Sequence, residues 1–173
     1  MAVREILLLG HPTLRSRCTL VRDLRSDESR QTATDLADTL ARFRRERGFG
    51  RGIAAPQIGI SKRIIFIDYE IHGPLFNPRI VRRSRRTFRM WDDCFSFPDL
   101  MVRVERSAGV TVAYQDAEGA RHMLDVRGGM AELLQHEIDH VEGILAVDRA
   151  IDNRHIILRS EFERQFRDSR NVM

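Results

Sequence analysis

Between Asp27 and Arg47 the apolar side chains return every three or four residues, with Ala33, Leu36, Ala37 and Leu40 on one face. That spacing predicts an amphipathic helix, and Gly48 supplies its stop. Downstream the period shortens. Arg63 to Asp68, Leu75 to Val81, Leu100 to Arg106, Val110 to Gln115 and Arg121 to Val126 are β-rich or alternate, which predicts strands. Asp116-Ala117-Glu118-Gly119 reads as the hairpin turn between the last two. Helical spacing resumes at Met130, Leu133, Leu134, Ile138 and Val141 and is closed by Gly143. A last helix is expected from a cap at Asn153 to about Arg167. Strands in a block between helices argue for an α+β fold, antiparallel β-sheets packed around the second helix.

Composition narrows the class. The chain has 173 residues, 42% of them hydrophobic, enough for one domain over residues 1–173 with its own core. No repeat, linker or low-complexity segment divides it. Leu7-Leu8-Leu9 belongs to an apolar run far too short for a span, and the N-terminus lacks a signal or transit pattern. The expectation is a cytoplasmic protein without membrane contact, a monomer or weak dimer. Lys and Arg number 29 against 25 Asp and Glu, and a net charge of +4 gives no ground for a DNA partner. The runs Arg42 to Arg47 and Arg82-Arg83-Ser84-Arg85-Arg86 read first as solvated faces or loops. Their functional reading is a weak attraction to RNA, such as the ribosome surface.

The chemistry concentrates in His136-Glu137-Ile138-Asp139-His140, inside the second helix. Residues four apart on a helix stack one above the other, so both imidazoles can reach one cation while Glu137 stands beside them as a base. Because the same helix carries an apolar stripe, the motif is expected to be buried. An open metal site needs a third protein ligand. Position 146 is Ala, which removes the metzincin pattern, whereas Glu161 and Glu163 lie where a thermolysin-like ligand would. Cys94 is the other candidate. It is one of two cysteines, with Cys18, in a chain without a disulfide framework, so it is either a small buried apolar residue or a ligand. Cys with two His makes a soft set that suits Fe(II), Zn, Co or Ni and disfavours Mg or Ca.

Three segments together resemble peptide deformylases. Gly50-Arg51-Gly52-Ile53-Ala54-Ala55-Pro56-Gln57 matches the family's GxGxAAxQ, Asp92-Asp93-Cys94-Phe95-Ser96 occupies the place of EGCLS, and His136 to His140 matches HExDH, in that order. The likeness extends from Leu9-Gly10-His11-Pro12 to Glu142-Gly143-Ile144-Leu145 and covers most of residues 5–150. The resemblance implies that Cys94, His136 and His140 hold one divalent ion, Fe(II) with Zn, Ni or Co as substitutes. It also implies that Glu137 is the general acid/base and that Gln57 with the backbone N–H of Phe95 stabilises the oxyanion.

The implied reaction is hydrolysis of the N-formyl group of formylmethionyl peptides, releasing formate. A formamide carbonyl resists attack because the nitrogen lone pair is delocalised into it, so a metal to activate water, a base and oxyanion donors are the parts required. The chain also departs from the pattern. Asp93 replaces a glycine beside Cys94, Arg51 an aliphatic residue and Met101 an arginine, while Gly129 stands where a bulky apolar residue is common. Arg51 could equally be a solvated loop charge. By resemblance, Gly52, Arg51, Met90, Gly129 and Leu133 surround the substrate. Two further readings follow: a metalloamidase for a different N-acyl substrate, and a catalytically silent ribosome- or RNA-binding protein that kept the fold.

Overall fold

The computed structural model describes residues 3–166. Helix α1 (Asp27–Arg47) starts and ends where its spacing predicts. The Ser26 hydroxyl accepts from the Ser29 N–H, Asp27 and Glu28 occupy the first turn, and arginines crowd the last, each favoured by the helix dipole. Gly48 then takes φ +79°, a left-handed conformation that ends the helix.

Five strands form one antiparallel sheet, ordered β1 (Gly52–Ala54), β2 (Ile64–Asp68), β3 (His72–Arg83), β6 (Gly109–Gln115) and β7 (Arg121–Arg127). A smaller sheet joins β4 (Thr87–Asp92), β5 (Leu100–Ser107) and β8 (Ile156–Leu158). The architecture is α+β, with helix α2 (Gly128–Val141) packed on the large sheet.

Strand β2 explains the layering. Ile64 and Phe66 point to α1, where they meet Leu36, Leu40 and Phe43, whereas Ile65 and Ile67 point to α2, where they meet Met130, Leu134 and Ile138. Both faces are covered, so the strand reads as a continuous apolar run instead of an alternation. A third cluster, with Leu14, Phe97, Val102, Val104 and Leu145, lies against the small sheet and includes Cys94.

The C-terminal expectation needs correction. Asn153 starts only a short turn (Asn153–His155), Ile156–Leu158 form β8, and helix α3 runs Arg159–Phe166. Arg167 lies outside the described residues. The β5 edge at Leu100–Val102 offers unpaired backbone groups that Ile156–Leu158 satisfy, and this long-range pairing overrides the local helical pattern. Strands β1 and β4 were not expected either, being short or interrupted by arginine. The Arg82–Arg86 run is not simply a loop: Arg82 and Arg83 end β3, and Arg83 donates to the Gln135 side chain at 2.9 Å.

Candidate metal centre

Because α2 is buried on nearly all sides, its two imidazoles lie inside the protein, His136 at 7% and His140 at 1% exposure. Their Nε2 atoms are 3.2 Å apart. Strand β4 ends at Asp92, and the turn that follows, closed by the Phe97 N–H on the Cys94 carbonyl at 3.2 Å, carries the Cys94 sulfur to 3.3 Å from His140 Nε2. Neighbouring donors on a tetrahedral ion with bonds of about 2.0–2.3 Å stand roughly 3.3–3.6 Å apart. Those two spacings are close to what such an ion requires, all three donors lie within 4.8 Å of one another although they come from separate parts of the chain, and the donor set fits a divalent transition metal.

Glu161 is absent from this cluster. It pairs with Arg164 on the outer face of α3. Glu163 is likewise not among the donors brought together around the two histidines.

Glu137, the residue after His136 on α2, is buried beside it. Its carboxylate packs on Gly52, where an added Cβ would come within 2.8 Å of Oε1, so β1 passes this close only because that residue is glycine. The other oxygen, Oε2, is buried without a hydrogen-bond partner. Burial lifts the carboxyl to about 7, against the pull of His136 and with help from the charges of Glu132 and Asp92. Burial also raises the Cys94 thiol, with His136 pulling the other way.

Gln57 sits in the short turn Ala55–Ile58 after β1. Its Oε1 accepts from the Ala54 N–H at 2.9 Å, which turns Nε2 towards Cys94 Sγ at 3.6 Å and Ser96 Oγ at 3.4 Å. Phe95 anchors the Cys94 turn: its ring stacks on Phe43 at 3.8 Å between centroids and meets Phe49 edge-on. Leu133 faces the cluster between α2 and the large sheet, and half-buried Met90 packs with the cluster that holds Cys94. Met101 is buried in β5. Cys18 lies away from the three donors, in the α2 core, where burial pushes its thiol up to about 11.

Arg51 is not a solvated loop charge. It bonds the buried Glu132 carboxylate at 2.6 Å and lies over the Tyr69 ring at 5.2 Å. Gly129 faces the same group. Asp93 is held by Arg159 at 2.8 Å, and the same guanidinium donates to the Pro98 carbonyl and covers Phe49. The acidic departure beside Cys94 is thus neutralised by the first residue of α3.

Sequence reasoning missed a charged chain behind the histidines. Asp92 accepts from His136 Nδ1 at 2.9 Å, Arg106 bonds Asp92 at 3.0 Å and also Asp139, and Arg149 completes the chain on Asp139 at 2.8 Å. A carboxylate on Nδ1 holds the proton there and leaves Nε2 free as a ligand. Burial alone would depress His136, but the charge and hydrogen bond of Asp92 carry it well above the usual imidazole range. Burial works against Asp92 as well, yet His136 and Arg106 hold it at about 2. His140, buried beside His136, falls well below its ordinary value. The available signal was general: a metal-bound histidine needs an orienting carboxylate, and Asp92 lies two residues from the proposed thiolate.

Arg106→Met should destabilise the fold by about 3–5 kcal/mol, because it leaves two buried carboxylates short of a counter-charge. Chemical denaturation reads this directly, and an unchanged midpoint would show that the pair carries no such weight.

The family model described as "Polypeptide deformylase" matches residues 3–155. A peptide deformylase of Thermomicrobium roseum is 43% identical over 162 residues, covering 88% of either chain. One from Rhizobium meliloti is 36% identical over 154 residues, 86% of this chain and 85% of that one. Among solved structures, the Thermotoga maritima peptide deformylase superposes with a TM-score of 0.81 at 31% identity, over 88% of this chain and all of that one. The Synechococcus elongatus enzyme, in complex with actinonin, gives 0.80 at 35% identity, over 88% and 81%.

Proposed function

We propose a mechanism from the premise that this chain belongs to the polypeptide deformylase family: it is an enzyme that removes the N-formyl group from nascent peptides, with formylmethionine as the terminal residue. The observation that carries the reading is the convergence of Cys94, His136 and His140 on one point with Glu137 beside it. Those three residues would hold a single divalent ion; the softness of the set suits Fe(II), Zn, Ni or Co alike, and the likeness to the family puts Fe(II) first. Such an ion, when bound, supplies Lewis acidity that activates water and polarises the formyl carbonyl.

The chain's own groups do the rest. Glu137, with a buried oxygen free of other partners, accepts the proton of the attacking water and later hands it to the departing amine. Gln57 Nε2, fixed through its carbonyl by Ala54, and the Phe95 backbone N–H donate to the oxygen that gains charge. Asp92 keeps the His136 proton on Nδ1, and Arg106 holds Asp92 in place. Water and formyl peptide balance to formate and a peptide with a free N-terminal amine.

The described residues act as one catalytic domain on this reading, in the cytoplasm where nascent chains emerge, and no helix among them is long and apolar enough to cross a membrane. The basic segments would favour contact with the ribosome surface.

Anaerobic preparation, metal analysis and a formate assay test the proposal. Formyl-Met peptides should release formate, and faster turnover of acetyl or longer N-acyl amides would favour the related amidase instead. No hydrolysis by any metal-loaded preparation, together with salt-sensitive RNA binding, would favour the silent homologue.

A further inference from the structure

Gly129, Glu132, His136 and His140 share one stripe of α2, spaced three or four residues apart. The stripe that presents the metal-binding nitrogens therefore continues one turn back to Glu132, whose carboxylate lies within 4.8 Å of ligand atoms of both His136 and Asp92. Against it stands Arg51, the residue before the glycine that packs on Glu137. The pair thus stands one helical turn from His136 and one residue from Gly52, on which Glu137 packs.

Glu132 is 3% exposed at its side chain and Arg51 is 39% exposed, so the carboxylate forms the back of the pair and the guanidinium its open face. Arg51 gives Nη2 to Glu132 and lays its plane over Tyr69. Its Nη1 lies 3.5 Å from where a Cβ on Gly129 would stand, an ordinary contact distance, and with glycine there no side chain covers this side of the guanidinium. Asp93 does not compete for these donors, being engaged by Arg159. A neutralised guanidinium with spare N–H groups seeks an acceptor, not a hydrocarbon.

We infer that the Arg51–Glu132 pair is a specificity determinant, a polar wall against which the first side chain of the formyl peptide rests, selecting side chains that end in a hydrogen-bond acceptor over purely apolar ones of the same length. Arg51 makes the selecting contact. Glu132 positions it and keeps the wall neutral, and Tyr69 fixes its plane. This inference rests on the deformylase reading.

Three formyl tripeptides that differ only in the first residue test it on the metal-loaded enzyme: norleucine, with no acceptor; methionine, with a weak thioether; and methionine sulfoxide, with a strong one. kcat/KM should rise in that order, by about tenfold from first to last, the scale of one hydrogen bond to a charged donor. In the double variant Arg51→Leu, Glu132→Leu, which strands no buried charge, the order should flatten or reverse. Arg51→Lys should keep it with a smaller ratio. Norleucine processed as fast as the sulfoxide by the unaltered enzyme overturns the inference, as does an unchanged ratio in a folded double variant of normal metal content. Absence of formate from all three peptides fails the deformylase reading itself, and the inference with it. If the double variant does not fold, the ratios of the unaltered enzyme and of Arg51→Lys still decide.

Discussion

Replacing Glu137 with Gln lowers turnover of formylated peptides by about two to four orders of magnitude, the range a positioned acid/base contributes, while metal content stays unchanged. Gln preserves the shape that packs on Gly52 and keeps an oxygen in the pocket, so the backbone of β1 need not move. What it loses is the ability to take a proton. In the unaltered chain the buried Glu137 Oε2 atom makes no hydrogen bond to another described residue, which leaves it available to a bound molecule. The measurement is a paired one, metal stoichiometry and kcat on the same preparation. Near-normal turnover with a full complement of metal would remove Glu137 from the mechanism.

The second large effect falls on the metal itself. Cys94→Ala should purify with little bound metal and with formate release at background, because it leaves two imidazoles where an open site requires three protein ligands. The loss is specific to the donor set. Cys94 also packs with Leu14, Phe97 and Val102, so removal of its sulfur costs some packing, and a thermal melt must show that the variant is folded before the metal result is read. Cys18→Ala is the control: that thiol, pushed up by burial in the α2 core and outside the three-donor cluster, should be dispensable for metal. Full metal occupancy in Cys94→Ala would mean that the third ligand comes from elsewhere.

Legibility varied with the distance over which each feature is determined. Helix α1 was readable to the residue because its cap, its stripe and its left-handed glycine are all local. The His136 and His140 pair was readable for the same reason, since helical geometry alone brings residues four apart together. Strand β8 was misread as helix because its pairing with Leu100–Val102 lies more than fifty residues back along the chain. Strand β4 escaped notice because Arg89 interrupts its apolar pattern, and its position depends on the full register with β5 from Thr87 to Asp92.

The same division runs through the site. By itself the sequence determined the α+β order of elements, the helix that carries two nitrogens and a carboxylate, and, through its likeness to a family, the thiol that joins them. Only the tertiary structure decided that Asp92 backs His136, that Arg106 binds Asp92 to Asp139, and that Arg51 closes on Glu132. The physical reason is that a charge's partner is selected by burial and proximity. A guanidinium in water is satisfied anywhere, but once a carboxylate such as Glu132 is taken out of water it must find a partner, and which one it finds depends on where distant strands bring the chain.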